Sequence, residues 1–199
     1  MIHLTHKELL ELRFWCEEFK KDGYAEERAK LEQYVSVFGL DTCKFDRVVE
    51  IGVGPYWGLL PYIRANIKVG VDSILAVYDA AGIREDRNGI LEVSEPFEHW
   101  ETNDRFDAII TTNALDHGEM GFHLIPKIWC LLNPGGRFYC HVHLRPADML
   151  NLVHDHSLTE EQLDQHLSYT NLRQVRRQIF ENDVDGNFCK TLVGIWEKP

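Results

Sequence analysis

At 199 residues, 44% hydrophobic and 27% charged, the chain has the makeup of a globular protein long enough for one domain with a substantial core. A formal net charge of −11 disfavours a broad polyanion-binding surface, so nucleic acid is not the expected partner. No apolar run reaches the roughly 20 residues of a membrane span, and the opening MIHLTHKELLELRFW lacks a basic n-region and a cleavage site. Cys16, Cys43, Cys130, Cys140 and Cys189 are scattered without a C-x-x-C pair, which points to thiols in a reducing cytoplasm.

Thr5 followed by Glu8 reads as a capping box, opening a helix with Leu9, Leu12, Cys16 and Phe19 on one face. A second helix follows Asp22-Gly23, with Leu31, Tyr34, Val35 and Phe38 as its stripe. These two helices over 1–44 either support a sheet or cap a site. From residue 47 the pattern alternates: a strand over 47–52, a glycine turn and helical spacing at Leu59, Leu60 and Ile63. A strand near 67–71 ends in Asp72 and leads to a helix through Leu75, Tyr78 and Asp79. Strands near 90–93 and 108–112 follow, then a helix over 121–132 stopped by Asn133-Pro134-Gly135-Gly136, then a strand over 137–144. Such alternation implies a parallel sheet covered on both faces. The tail differs. Ser157 and Glu160 suggest a capping box for a helix through Leu163 and Leu167, and strands near 175–180 and 191–196 form an antiparallel hairpin. No linker or repeat divides the chain, so 1–199 is expected to form a single domain, with its core over 45–199.

The segment RVVEIGVGPYWGLLPYI carries the first chemistry. A strand breaking on Gly52 and Gly54 lets a ligand lie against bare backbone, and the turn serves dinucleotides and S-adenosylmethionine alike. Asp72, ending the next strand, suits ribose hydroxyls for either ligand, or an exposed helix cap. A dinucleotide fingerprint wants a third glycine where Trp57 stands, which counts against NAD.

Glu50-Ile51-Gly52-Val53-Gly54 resembles the first motif of class I S-adenosylmethionine-dependent methyltransferases, and Gly70-Val71-Asp72 their second. Phe106-Asp107-Ala108-Ile109-Ile110 with Asn113-Ala114-Leu115-Asp116-His117, the segment 131–138 and the terminal hairpin are similar to later family features, in order. The likeness is to the small-molecule type, akin to the ubiquinone/menaquinone-biosynthesis group. It implies a Rossmann-like three-layer α/β/α sandwich, its seven-stranded sheet mostly parallel and ending in an antiparallel hairpin, with an N-terminal helical extension. It further implies that Glu50 orients the amino-acid end of the cofactor, and that Gly52, Gly54 and Pro55 approach it. Asp72 would take the ribose, Ile74, Val93 and Ser94 the adenine, Ser73 would join the cofactor-binding residues beside them, and Asn113 would line the floor near the methyl group. The chain departs from the family where Pro55, Tyr56 and Trp57 precede Gly58, and in Ser94-Glu95-Pro96-Phe97 after the third strand.

Methyl transfer needs chiefly alignment, plus a base where the acceptor arrives protonated. His117 is the first candidate base, or else a structural histidine. Asp116 is a second, or a helix cap. Alternation along 137–145 sets Tyr139, His141, His143 and Arg145 against Phe138, Cys140, Val142 and Leu144. His143, near the carboxyl end, is a third candidate, or a mark of a partly open face. His154 and His156 lie in the next loop, but with no carboxylate ligand pattern no metal is expected. The resemblance therefore implies S-adenosylmethionine as cofactor, S-adenosylhomocysteine as product, and a hydroxyl or amine of a small molecule as acceptor. The acceptor would be bounded by the N-terminal helices, 116–123 and 146–156. A catalytically silent binding or scaffold protein and an NAD-dependent oxidoreductase are the competing readings.

Overall fold

The computed structural model describes residues 4–86, 88–117, 121–145, 157–184 and 187–199. Helices α1 (His6–Asp22) and α2 (Ala25–Phe38) precede β1 (Lys44–Ile51) and β2 (Arg64–Val71). Then come α3 (Leu75–Ala81), β3 (Leu91–Val93), β4 (Phe106–Thr112), α4 (Ile125–Leu131) and β5 (Leu132–Leu144). Helix α5 (Glu160–Ser168) and strands β6 (Arg173–Val184) and β7 (Asn187–Glu197) complete the order. The strands form one seven-stranded sheet in the order β3-β2-β1-β4-β5-β7-β6. Pairing is parallel from β3 to β5 and antiparallel for β5/β7 and β7/β6. Among the described residues no helix is long and apolar enough to cross a membrane.

Central strands apolar on both faces account for the two cores. Val49, Ile51, Ile109, Phe138, Cys140 and Val142 pack with α4 and α5 on one face. Val48, Ala108, Ile110 and Tyr139 pack with α2, α3 and the loop after β1 on the other. Four residues of β5, 133–136, bulge out where its pairing with β4 jumps from Phe106↔Leu132 to Ala108↔Arg137. Gly135 supplies the positive φ there.

Three local expectations are corrected. The apolar stripe of α1 is not Leu9-Leu12-Cys16-Phe19: Leu9 and Phe19 are exposed, while Leu12, Trp15 and Cys16 pack against the body. The tail helix is capped two residues later than expected, by Thr159 with Gln162 rather than by Ser157 with Glu160. No α-helix follows β1. Residues 52–63 hold two single-turn 3-10 helices at Gly54–Tyr56 and Leu60–Tyr62. Pro55 and Pro61 remove two amide donors, and Trp57 and Gly58 sit at φ +70° and +54°, which breaks any continuous helix. The capping box at Thr5 and Glu8 is present as expected.

Candidate functional site

The carboxyl ends of β1, β2 and β4 lie side by side, and there the sheet turns from apolar to polar. Glu50 is fully buried. Its Oε2 accepts the N–H groups of Leu59 (2.7 Å) and Leu60 (3.2 Å), and its Oε1 the Thr112 hydroxyl (3.0 Å). Burial pushes this carboxyl up to about 8, against the pull of those three donors. Gly58 is obligatory beside it, because a Cβ there would stand 2.4 Å from Glu50 Oε1. Glu50 thus anchors the loop after β1.

Asp72 anchors the same loop from the next strand. Its Oδ2 accepts from Gly54 N at 3.0 Å and its Oδ1 from Ile74 N at 3.1 Å, and burial raises its pKa. Each carboxylate oxygen can take a further bond, so the residue can still accept from ligand hydroxyls. Gly52, at φ +74°, packs so closely on the strand-four loop that a Cβ would meet that of Ala114 at 2.3 Å. Asn113 takes the left-handed φ of +54° and donates its backbone N–H to His141 O at 2.8 Å. Its Oδ1 is buried without a hydrogen-bond partner among the described residues. An orphaned acceptor in such a place is costly unless a ligand donor reaches it.

The remaining expected ligand residues are scattered. Pro55 is buried, and its carbonyl accepts from Glu85 N. Ser73 is exposed, whereas Ile74 is buried in the core beside Trp57. Val93 is partly buried and accepts from Asp72 N, while exposed Ser94 takes Ala76 N at 3.3 Å and so serves the first turn of α3. Trp57 fills the space over Gly70, 3.1 Å from where a Cβ would stand, where a dinucleotide fold needs close helix–strand approach.

The histidines separate onto the two faces of the sheet. Asp116, fully buried, has Arg145 Nε at 3.5 Å and His117 Nε2 at 4.0 Å, and its charge reaches Cys140 on the α4 side. On the opposite face His141 is buried under the Tyr34 ring of α2 at 4.3 Å, and burial and neighbouring His143 hold it down to about 4. His141 Nδ1 has no hydrogen-bond partner among the described residues. His143 Nδ1 shares a hydrogen bond of 2.9 Å with Thr191 Oγ1 across β7. The described residues contain no group of three or more His, Cys, Asp or Glu that could hold a metal. His154, His156 and the expected acceptor loop over 146–156 fall outside the described residues.

Sequence reasoning missed what α1 does. Glu11 accepts the Tyr78 hydroxyl at 3.2 Å, and Trp15 stands edge-on to Tyr56 at 5.1 Å, over the glycine turn. Its only legible trace was an acid and an indole spaced four apart on one helix face.

No protein-family model matches the chain, and a search of curated protein sequences gives no match. Among solved structures, the N-methyltransferase NodS from Bradyrhizobium japonicum WM9, in complex with S-adenosyl-L-homocysteine, aligns with 91% of this chain and 91% of its own at 19% identity, TM-score 0.66. The cyclopropane synthase MmaA2 from Mycobacterium tuberculosis aligns with 91% of this chain and 88% of its own at 11% identity, TM-score 0.65. The fold is that of class I S-adenosylmethionine-dependent methyltransferases.

Proposed function

We propose that the chain is an S-adenosylmethionine-dependent methyltransferase acting on a hydroxyl or amine of a small molecule, with residues 45–199 as its cofactor-binding core and 1–44 as a helical cap. A reducing cytoplasm suits its scattered thiols. The observation that carries the reading is the donor-poor, acceptor-rich edge at β1, β2 and β4. Asp72 retains accepting capacity toward a ribose, and the orphaned Asn113 Oδ1 suits an N–H donor such as an ammonium. NodS binds S-adenosylhomocysteine in the same fold.

When bound, the cofactor would supply an electrophilic methyl group on a sulfonium. Gly52 and Gly54 admit it to the backbone, Asp72 and Asn113 orient it, and the ring of Tyr56 offers a face to a cation. His117, held beside Asp116, is the group proposed to take a proton from the acceptor, with His143 the alternative on the other face. Ser73, Val93 and Ser94 remain the proposed adenine and ribose rim, Ile74 backing it from the core, and Glu50 and Pro55 hold the loop. The silent-scaffold reading has one observation in its favour, the lack of an α-helix after β1, which removes a ready cradle of N–H groups.

Calorimetric titration with S-adenosylmethionine, S-adenosylhomocysteine and NAD tests the proposal. Micromolar binding of both adenosyl ligands and none of NAD is expected. NAD binding alone would replace the reading with an oxidoreductase, and no binding at all would favour the scaffold.

A further inference from the structure

We propose that α1 is a proton-linked latch over the cofactor cleft, in which Glu11 closes on the Tyr78 hydroxyl within the field of Asp72 and must let go before an adenosyl ribose enters. The inference rests on the cofactor reading above and adds its regulation.

The geometry comes from two contacts that α1 makes across the cleft. Trp15 lies over the glycine turn, its Cζ2 3.8 Å from where a Cβ of Gly54 would stand, and packs edge-on to Tyr56 at 5.1 Å. One helical turn earlier, Glu11 Oε1 accepts the hydroxyl of Tyr78, a fully buried residue of α3. Asp72 lies between these points, bonded to Gly54 N on one side and to Ile74 N, at the start of α3, on the other. The closed helix therefore stands where a ligand reaching Asp72 and Gly54 would have to be. Its hold is partial: Leu12, Trp15 and Cys16 pack against the body, but α1 contributes no fully buried residue, and Leu9, Phe14 and Phe19 face solvent. An element so lightly packed opens more readily than the sheet beneath it.

The charges around Glu11 give the latch its sign. Asp72 faces it from just past β2, Tyr78 donates a hydrogen bond from α3, and the Trp15 indole and Lys7 stand one turn after and before it on α1. Tyr56, on the glycine turn, faces Asp72 in turn. Burial and the Asp72 charge outweigh the rest and push Glu11 up to about 7. Released into water, Glu11 returns to the ordinary carboxylate value near 4.5. The closed form therefore keeps a proton that the open form gives up. Between about pH 4.5 and 7 the closed form loses its advantage as pH rises, by up to about tenfold per unit. Adenosyl affinity should rise across that window.

The test is titration with S-adenosylhomocysteine at pH 5.5 and 7.5 in the wild type and in Glu11→Gln, which keeps a hydrogen-bonding side chain but has no proton to lose. The wild type should gain about tenfold or more in affinity; the variant should change less than about threefold. Asp72 still titrates in the variant, relieved of the Glu11 charge, so the latch is read from the exchange of α1 as well as from affinity. Hydrogen exchange of residues 6–22 in the ligand-free protein, corrected for intrinsic rates, should lose protection between the same pH values in the wild type and not in the variant. Equal pH slopes in both proteins, or α1 protection that ignores both pH and substitution, would overturn the latch. Absent ligand binding with the exchange difference intact would refute the cofactor reading and leave the latch standing.

Discussion

Replacing Gly58 with alanine would strike the join between loop and sheet. Two costs follow from the structure. A side chain at φ +54° pays the left-handed penalty of about 1–2 kcal/mol. Its Cβ would also fall 2.4 Å from Glu50 Oε1, 2.6 Å from Cδ and 2.7 Å from Oε2. Glu50 is buried between β1 and the loop and cannot swing into solvent, so its carboxyl must leave the N–H groups of Leu59 and Leu60. Leaving a buried N–H group unsatisfied costs about 1–3 kcal/mol. The substitution should therefore destabilise the fold by about 2–5 kcal/mol, lowering the melting temperature by roughly 4–20 °C for a chain of this size. Gly82→Ala is the control: it shares a left-handed φ, +68°, but a Cβ there meets nothing within 4 Å, so only the backbone penalty applies. Urea denaturation of both variants, with unchanged m-values, decides the matter. Equal costs for the two would refute the claim that Glu50 locks the loop through the space Gly58 leaves open.

Glu50→Gln probes the proton on that carboxyl. Burial raises the folded-state value to about 8 from an ordinary 4.5, so this group's stabilising contribution is full below pH 4.5 and is lost as pH rises through 8. Between pH 6 and 9 the wild type should lose on the order of 2–3 kcal/mol more than the variant, read from urea midpoints; parallel pH profiles would show that Glu50 is already ionised at pH 6. Asp72→Asn should weaken S-adenosylhomocysteine binding by about tenfold to a hundredfold, since an amide offers one acceptor oxygen where Gly54 N, Ile74 N and a ribose need two. Unchanged affinity in a folded variant would remove the ribose from Asp72.

What the sequence revealed, and what it hid, follows from the range of the forces involved. Strand cores such as Val48-Val49 and Ile109-Ile110 are apolar on both faces wherever they sit, so the parallel sheet was readable from local pattern. The phase of an amphipathic helix is less local. Residues 5–19 of α1 fit several apolar faces, and the one chosen runs through Leu12, Trp15 and Cys16 because Tyr24 and Tyr56 await the indole. Overlapping signals at 157–162 were decided the same way: S-x-x-E and T-x-x-Q both occur, and the chain caps with the second. Glu11 was beyond reach, since it is defined by Asp72 and Tyr78, both more than sixty positions away.

The turn after β1 connects these observations to the choice of ligand. Its helical spacing was real, yet Pro55, Pro61 and two consecutive left-handed residues overrode it; the prolines and Gly58 stood in the sequence as signals, the left-handed Trp57 did not. The consequence is electrostatic. A helix N-terminus at this point would present unpaired N–H groups and a positive dipole end, which suits a pyrophosphate. Here Gly54 N is spent on Asp72, and Leu59 N and Leu60 N on Glu50. The edge is left with carboxylates, the lone Asn113 oxygen and aromatic rings from Tyr56 and Trp15. A pyrophosphate finds few donors on it, whereas an adenosyl sulfonium, with one carboxylate beside its hydroxyls, ammonium and sulfonium, meets mostly acceptors and π faces. The missing helix thus weighs against a dinucleotide more heavily than against an adenosyl sulfonium, and it does so independently of Trp57.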